Sequence, residues 1–350
     1  MSAKLAVVAG VTGIVGKRLA LELHSRGFKV VGLSRNPSAI KQPFETRAID
    51  LTSDQSCQSV LADLKKTTHI YYASRYKHST TEPEPIELNV LMLQNLVNSI
   101  EPIAQNLQHI HLVHGTKGYG STFGPYKTPV KENETRSLYE TFYYGQEDFI
   151  TKLQERKKWN WTITRPQAVC ESDISFVRNL PRLIAVYASV SKELGLNLHF
   201  PGENLAYTSL YQVTDARQLA KAIVWMSEEK KCANQVFNIT NGDFFRWANI
   251  WDTFADFFEI KAGEPRPIKL SIAMSDKEKV WNQITNKYNL IKTPYQDAAI
   301  WSYGDFIFNS EYDIMSDLTK IRLYGFHQVV DSEKMFIEIF KSLRDQRLIP

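Results

Sequence analysis

Cysteine is scarce in this 350-residue chain: Cys57, Cys170 and Cys232 stand far apart. An odd and scattered set offers neither a disulfide framework nor the paired spacing of a zinc site, and it suits a reducing compartment. No apolar stretch is long enough to span a bilayer. No basic block stands out and the net charge is only +4, which argues against nucleic acid as the main partner. Internal repeats and low-complexity segments are missing too. Nothing after Met1 reads as a signal peptide, because a strand pattern begins at Leu5. These absences lead to the expectation of a cytoplasmic protein with no membrane and no nucleic-acid partner. The 43% hydrophobic and 23% charged fractions are those of a globular chain, and the length allows one large or two ordinary domains.

What is present is organised around Gly10 to Gly16, read as GVTGIVG. The apolar run Leu5 to Ala9 before it reads as a buried strand. Lys17 to Arg26 after it places Leu19, Ala20 and Leu23 on one helical face. Three glycines at this spacing mark no more than a turn when they stand alone. Between a strand and a helix they form a cradle for a pyrophosphate. Gly10 allows the tight turn, Gly13 lets the backbone approach the anion, and Gly16 lets helix and strand pack closely. The helix start adds free N–H groups and the positive end of its dipole. Dinucleotide binding is the expectation.

Lys29 to Ser34 reads as a second strand. In NAD-binding sites an acidic residue sits near its end and accepts from the ribose 2′-hydroxyl. Here Ser34, Arg35 and Asn36 follow instead. A guanidinium suits a 2′-phosphate, so the residues favour NADPH over NADH; the alternative is an exposed charge at a strand end. Arg47 to Leu51 reads as a third strand with Asp50 at its end, placed either to bond the adenine or to cap the helix that starts at Ser53 and Asp54. Thr68 to Ser74 is a fourth strand. Glu87 to Ile100 is a helix with Leu88, Leu91, Leu93, Leu96 and Val97 mostly inward. His109 to His114 (HIHLVH) is a fifth strand. Period two puts only a pair of its histidines on one side, and no carboxylate or cysteine completes a ligand set, so ordinary strand histidines are expected rather than a metal site.

Trp159 to Arg165 is a sixth strand stopped by Pro166, and Asn234 to Ile239 is expected to return to the same sheet. Between and beyond them, Leu180 to Glu193 and Ala216 to Met226 read as helices. Trp247, Trp251, Phe254 and Phe258 recur at helical spacing, the mark of a core stripe. The fold class is therefore α/β: a Rossmann-type doubly wound parallel sheet with a smaller, mostly helical C-terminal substrate lobe. The division expected is 1–170 for the nucleotide domain, with late strands returning from about 205–240, and 171–350 for the substrate lobe.

A nicotinamide site needs a group that stabilises oxyanion charge on the substrate. The common short-chain dehydrogenase solution is a Tyr with a Lys four residues later on one helix. Tyr288 and Lys292 have that spacing but fall far beyond the nucleotide sheet, so it reads as chance. At the expected helix Tyr143 is followed four later by Glu147, and Tyr144 by Asp148. A carboxylate raises a phenol's pKa and cannot replace the ammonium. Lys117, in GTKGY at the end of the fifth strand, is the cation that topology brings to the same crevice.

With that substitution the chain resembles the progesterone 5β-reductase and iridoid synthase-like (PRISE) enzymes, an atypical branch of extended short-chain dehydrogenases. The stretches that carry the resemblance are GVTGIVG, GTKGY at Gly115 to Tyr119, and TFYYGQED at Thr141 to Asp148, where Thr141 replaces the family's Asn. TRP at Thr164 to Pro166, FPG at Phe200 to Gly202, FNITNGDFFRW at Phe237 to Trp247, IWSYGDF at Ile300 to Phe306 and the ending LIP add to it. The resemblance implies NADPH-dependent reduction of the carbon–carbon double bond of a small-molecule 1,4-enone or enal, with hydride going to the β-carbon. It assigns the catalytic pair to Tyr143 and Lys117. It also puts Thr12, Gly13 and Ile14 at the pyrophosphate, Arg35 and Asn36 at the 2′-phosphate, and Asp50 and Leu51 at the adenine end. Ser74, Val113 and Val169 would line the cofactor, with Phe176 to Arg178 closing over it.

This chain departs from the family pattern at Asn36, where a second Arg is usual, at Glu171 in place of a glycine, and at Arg75 in place of an aromatic. Arg75, Lys77 and His78 make a polar cluster that reads either as a solvated loop or as a mouth suited to a polar or carboxylate-bearing substrate. A nucleotide-sugar epimerase or ketoreductase, and a non-catalytic NADP-sensing regulator, are the alternative functions. A homodimer is compatible with all three, and no residue fixes it.

Overall fold

Seven strands pair edge to edge and all in parallel: β1 (Leu5–Ala9), β2 (Lys29–Ser34), β3 (Glu45–Ala48), β4 (His69–Tyr72), β5 (His109–Val113), β6 (Asn160–Pro166) and β7 (Gln235–Ile239). Their order across the sheet is β3-β2-β1-β4-β5-β6-β7. The direction of winding reverses between β1 and β4, and a crevice opens there at the carboxyl ends of the strands. The computed structural model describes residues 4–37, 42–76 and 83–350; Lys77 and His78 lie outside them.

An all-parallel sheet must be covered on both faces, which is why β1 is buried along its whole length. On one face α1 (Ile14–Ser25) and α6 (Ala216–Glu228) bring Leu19, Leu23, Leu219 and Ile223 against Val8 and Val30. On the other, α2 (Asp54–Leu61), α3 (Ile86–Ile100) and α4 (Phe142–Gln154) cover Val7, Ile70 and Ile163 with Leu61, Leu93, Leu96 and Ile150. The helical C-terminal part is built from α5 (Leu180–Glu193), α7 (Trp247–Phe257), α8 (Glu278–Lys287), α9 (Trp301–Phe308) and α10 (Ser332–Asp345). Its core gathers Trp247, Trp251, Phe254 and Phe258 with Phe336 and Phe340. A side chain of this size contributes about 1.5–3 kcal/mol on burial, so the stripe is structural.

Two local expectations change, and on α3 one residue departs from the mostly inward set. The third strand ends at Ala48 rather than Leu51, because the chain turns at Asp50, whose carboxylate accepts from the Thr52 backbone N–H at 2.9 Å and its hydroxyl at 2.7 Å. Asp50 is not the helix cap; Ser53 is, accepting from Ser56 N–H. On α3, Leu91 points outward at 40% exposure, while Met92 and Asn95 turn inward. Asn95 is used there: its amide donates to the Leu51 carbonyl at 2.9 Å and ties α3 to the chain after β3.

The strand histidines are core residues. His109 and His111 are buried, and both share the Thr162 hydroxyl of β6, at 2.8 and 2.7 Å, while His111 also reaches Thr164 at 3.1 Å. Burial holds His109 down to about 4 and His69 on β4 down to about 3; His111 is lowered by burial and then by neighbouring imidazoles. Among the described residues no helix is long and apolar enough to cross a membrane, and no cluster of His, Cys, Asp and Glu could hold a metal ion.

Candidate active site

The turn after β1 is shaped by its glycines. Gly10 sits at φ +83°, and a Cβ there would lie 2.6 Å from the Ala73 carbonyl oxygen after β4. A Cβ on Gly16 would collide with the Gly10 carbonyl, so α1 can cross the turn this closely only with glycine there. Gly13 occupies the N-cap with no side chain bonded over the helix start, leaving the first-turn N–H groups directed at the crevice.

Two adjoining clefts open from this turn. The first, about 450 Å³, is walled by Gly10, Thr12 and Gly13, by Ser34 and Arg35 after β2, and by Asp50 and Leu51 after β3, with Ser74 on its far side. The Ser34 hydroxyl is buried without a hydrogen-bond partner among the described residues. Arg35 is exposed, and its charge, after the two Thr52 bonds, helps hold the Asp50 carboxyl below the usual range. The second cleft, about 570 Å³, shares Gly13 and adds Ile14, Lys117, Tyr143, Val169 and Phe176. Of the residues singled out from sequence, Gly16, Asn36 and Val113 line neither. Gly16 acts beneath the turn, and Val113 packs against the apolar cluster under α1.

Tyr143 and Lys117 reach the second cleft from separate elements. Tyr143 is in the first turn of α4. Its ring stacks on His114 at 4.4 Å and 18°, and lies edge-on to Phe142 at 4.5 Å. Gly115 matters here, because a Cβ on it would stand 3.4 Å from the Tyr143 hydroxyl. Lys117 sits on a 3₁₀ turn, Thr116–Tyr119, directly after β5. Tyr144 fastens that turn to α4 by donating to the Gly118 carbonyl at 2.9 Å. The Lys117 ammonium is not an unpaired cation: it meets the Glu84 carboxylate, which also accepts from Arg75 at 2.8 Å. Burial pushes the Tyr143 phenol up to about 12; Arg75 and Arg178 pull it down and Glu84 pushes it up. The phenol is therefore a neutral hydrogen-bond donor throughout the physiological range.

Glu147, four residues on, turns to Arg165 of β6 at 2.9 Å, and the Arg165 guanidinium covers the Tyr119 ring at 4.7 Å. Glu171 is buried and takes Arg18 of α1 in a two-pronged ion pair, with the Arg18 Nε bond at 2.8 Å. Asp173 pairs with Lys17 beside it. The loop after β6 is thereby fastened to the first turns of α1. Tyr288 is an exposed C-cap of α8 and lines neither cleft, so its spacing to Lys292 has no part in the site.

Glu84 and His114 were not singled out for the site from sequence. Glu84 lies in a proline-flanked stretch with no pattern of its own, and only the fold brings it to Lys117. His114 was legible as the last residue of HIHLVH, at the carboxyl end of a central strand. What it lacked was any sign that it stacks beneath Tyr143.

The strand order, the glycine turn and the crevice at the winding reversal define a Rossmann fold of the short-chain dehydrogenase/reductase class. Solved structures share it: UDP-glucose 4-epimerase of Thermotoga maritima superposes with a TM-score of 0.69 at 12% identity, covering 97% of this chain and 99% of that one. The Thermus thermophilus UDP-glucose 4-epimerase, in complex with NAD, gives 0.67 at 13%, with 97% and 99% covered. Within that class, residues 47–350 match the model of the PRISE-like Rossmann-fold domain, and the chain belongs to this family. It is 32% identical to (S)-8-oxocitronellyl enol synthase of Catharanthus roseus over 99% of this chain and 92% of the relative. It is 28% identical to 3-oxo-Delta(4,5)-steroid 5-beta-reductase of Arabidopsis thaliana over 99% and 93%.

Proposed function

We propose that this protein reduces the carbon–carbon double bond of 1,4-enones or enals with NADPH, using Tyr143 and Lys117. The observation that carries the reading is that a neutral phenol from α4 and an ammonium from the turn after β5 line the same cleft, which continues from the phosphate turn. The family and its named relatives support the same reaction class.

The first cleft fits a dinucleotide on its own features: a turn that a Cβ would fill, the unpartnered Ser34 hydroxyl, and Arg35 where NAD sites carry an acid. Gly13 and the first turn of α1 would hold the pyrophosphate, Arg35 the 2′-phosphate, and Asp50 and Leu51 the adenine end. When bound, the reduced nicotinamide supplies the hydride. Tyr143 donates a hydrogen bond to the substrate carbonyl oxygen and holds the negative charge that gathers there when hydride reaches the β-carbon, and water returns a proton to the α-carbon of the enolate. Lys117, neutralised in part by Glu84, adds a positive field and keeps the Tyr143 side of the cleft ordered. His114 and Phe142 fix the ring so that the hydroxyl keeps one direction. We assign residues 1–170 to the nucleotide domain, together with the returning β7, and the helical part to substrate closure.

An epimerase or ketoreductase of the ordinary type relies on a Lys four residues after its Tyr. Glu147, committed to Arg165, stands at that position and weighs against it. A sensor with no chemistry needs neither Tyr143 nor Lys117 in the cleft. NADPH oxidation with cyclohexenone tests the proposal. Turnover by the intact chain is expected, and its absence across a panel of enones and enals would overturn it.

A further inference from the structure

The second cleft has an unequal charge lining. Arg75, Lys117 and Arg178 stand in its wall, and among the described residues no Asp or Glu does. Behind the wall one carboxylate, Glu84, is shared by Arg75 and Lys117. The acids of Arg178's own loop are already taken, Glu171 by Arg18 and Asp173 by Lys17. Arg178 is left with no carboxylate partner among the described residues. Its guanidinium instead lies over the ring of Tyr303 on α9, 4.2 Å from the centroid. The Tyr303 ring is buried and cannot swing away, so the stack holds the guanidinium at the mouth of the cleft. A contact with the ring takes up none of the guanidinium's paired N–H groups, the fork that takes a carboxylate through two parallel bonds. The neighbouring wall is apolar, with Phe176, Phe306 and Ile307.

We propose that Arg178 anchors a carboxylate carried by the substrate, so that the cleft prefers anionic enones over neutral ones. This rests on the enone-reductase reading for what happens at the other end of the molecule. Arg178 would hold the substrate by its acid group while the apolar wall receives the carbon skeleton and the enone oxygen meets Tyr143. The competing use of the same cation is to hold the cofactor's pyrophosphate, and the test separates the two.

The probes are (E)-4-oxo-2-pentenoate and its methyl ester, which share one enone skeleton while the ester caps the charge with a methyl group; the change in their ratio between variants, rather than the ratio alone, cancels the difference in intrinsic reactivity. The wild-type chain should show the higher kcat/KM on the acid. Arg178→Met keeps an apolar stem against Tyr303 and removes the charge. It should lower the acid-to-ester ratio of kcat/KM by about tenfold or more, as expected for one charge-assisted pair at a partly open site. Arg178→Lys should recover only part of it. An unchanged ratio, with a raised Kd for NADPH, would assign Arg178 to the cofactor and overturn the proposal. Should no enone be reduced at all, the enone-reductase reading falls. The anchor is then read by calorimetry with 4-oxopentanoate and its methyl ester on the NADP⁺-loaded protein. Tighter binding of the acid, lost in Arg178→Met, supports it, and equal binding of the two contradicts it.

Discussion

Glu147 and Arg165 form a 2.9 Å ion pair four residues after Tyr143, the position where the common short-chain dehydrogenases keep a lysine after their catalytic tyrosine. Arg165 is buried, and Tyr119 covers its guanidinium. Glu147→Lys would therefore not restore an ordinary dehydrogenase site. It would set two cations against each other and leave Arg165 unpaired, costing about 3 kcal/mol of stability or more. Urea unfolding checks this, and a variant as stable as the wild type would show that the pair has no structural part.

Arg35 tests the coenzyme assignment. Arg35→Ala should weaken NADPH binding by about tenfold or more, the size of a lost charge-assisted contact, and leave NADH binding nearly unchanged. Fluorescence titration with the two coenzymes measures it. Equal changes would mean that Arg35 does not read the 2′-phosphate.

Glu171 is buried against Arg18, and its carboxylate also accepts from the Ser172 N–H at 2.8 Å. Glu171→Ala should cost about 2–3 kcal/mol, below the range for a fully buried pair because the Arg18 side chain is 27% exposed and can rehydrate. Glu171→Gln, which keeps an oxygen for the backbone bonds, should lose less. Chemical denaturation of both variants checks the order, and the reverse order would deny that the backbone bonds matter.

The core histidines set an acid limit. In the fold His109 is held near 4 and His69 near 3, against 6.5 in the unfolded chain. Both are depressed, so between these values the unfolded state binds more protons and stability rises with pH. The protection is complete above about pH 6.5. It is lost as pH falls toward 4, at about 1.4 kcal/mol per unit for each fully neutral histidine. The urea midpoint should drop from pH 7 to pH 5, and His109→Asn should flatten that drop. A midpoint that does not change with pH would contradict the assignment.

Much of this was legible from residues alone. The run Leu5–Ala9, the glycine turn and the amphipathic α1 are local patterns, and they were enough to place the sheet's centre and the phosphate end of the crevice. The aromatic stripe from Trp247 was legible for the same reason. Asp50 was not: its Asx-type turn onto Thr52 ends β3 early, and strand patterning carries no information about a side chain bonding two residues onward. The mostly inward face of α3 was legible, with Leu91 the exception, because apolar character does not decide which face a helix buries, and Asn95 took an inward place through its bond to Leu51. The Lys117–Glu84 pair lay beyond reach for a third reason. Its partners come from different crossovers, 33 positions apart, and only the closed fold brings them together.

The central claim is that the Tyr143 hydroxyl stabilises oxygen charge during double-bond reduction. The direct measurement is the single-turnover rate of NADPH oxidation with cyclohexenone for the wild type and Tyr143→Phe. A wild-type reaction slowed by about 10²–10³ in the variant, the usual cost of one such donor, is the predicted result. A variant as fast as the wild type would contradict it.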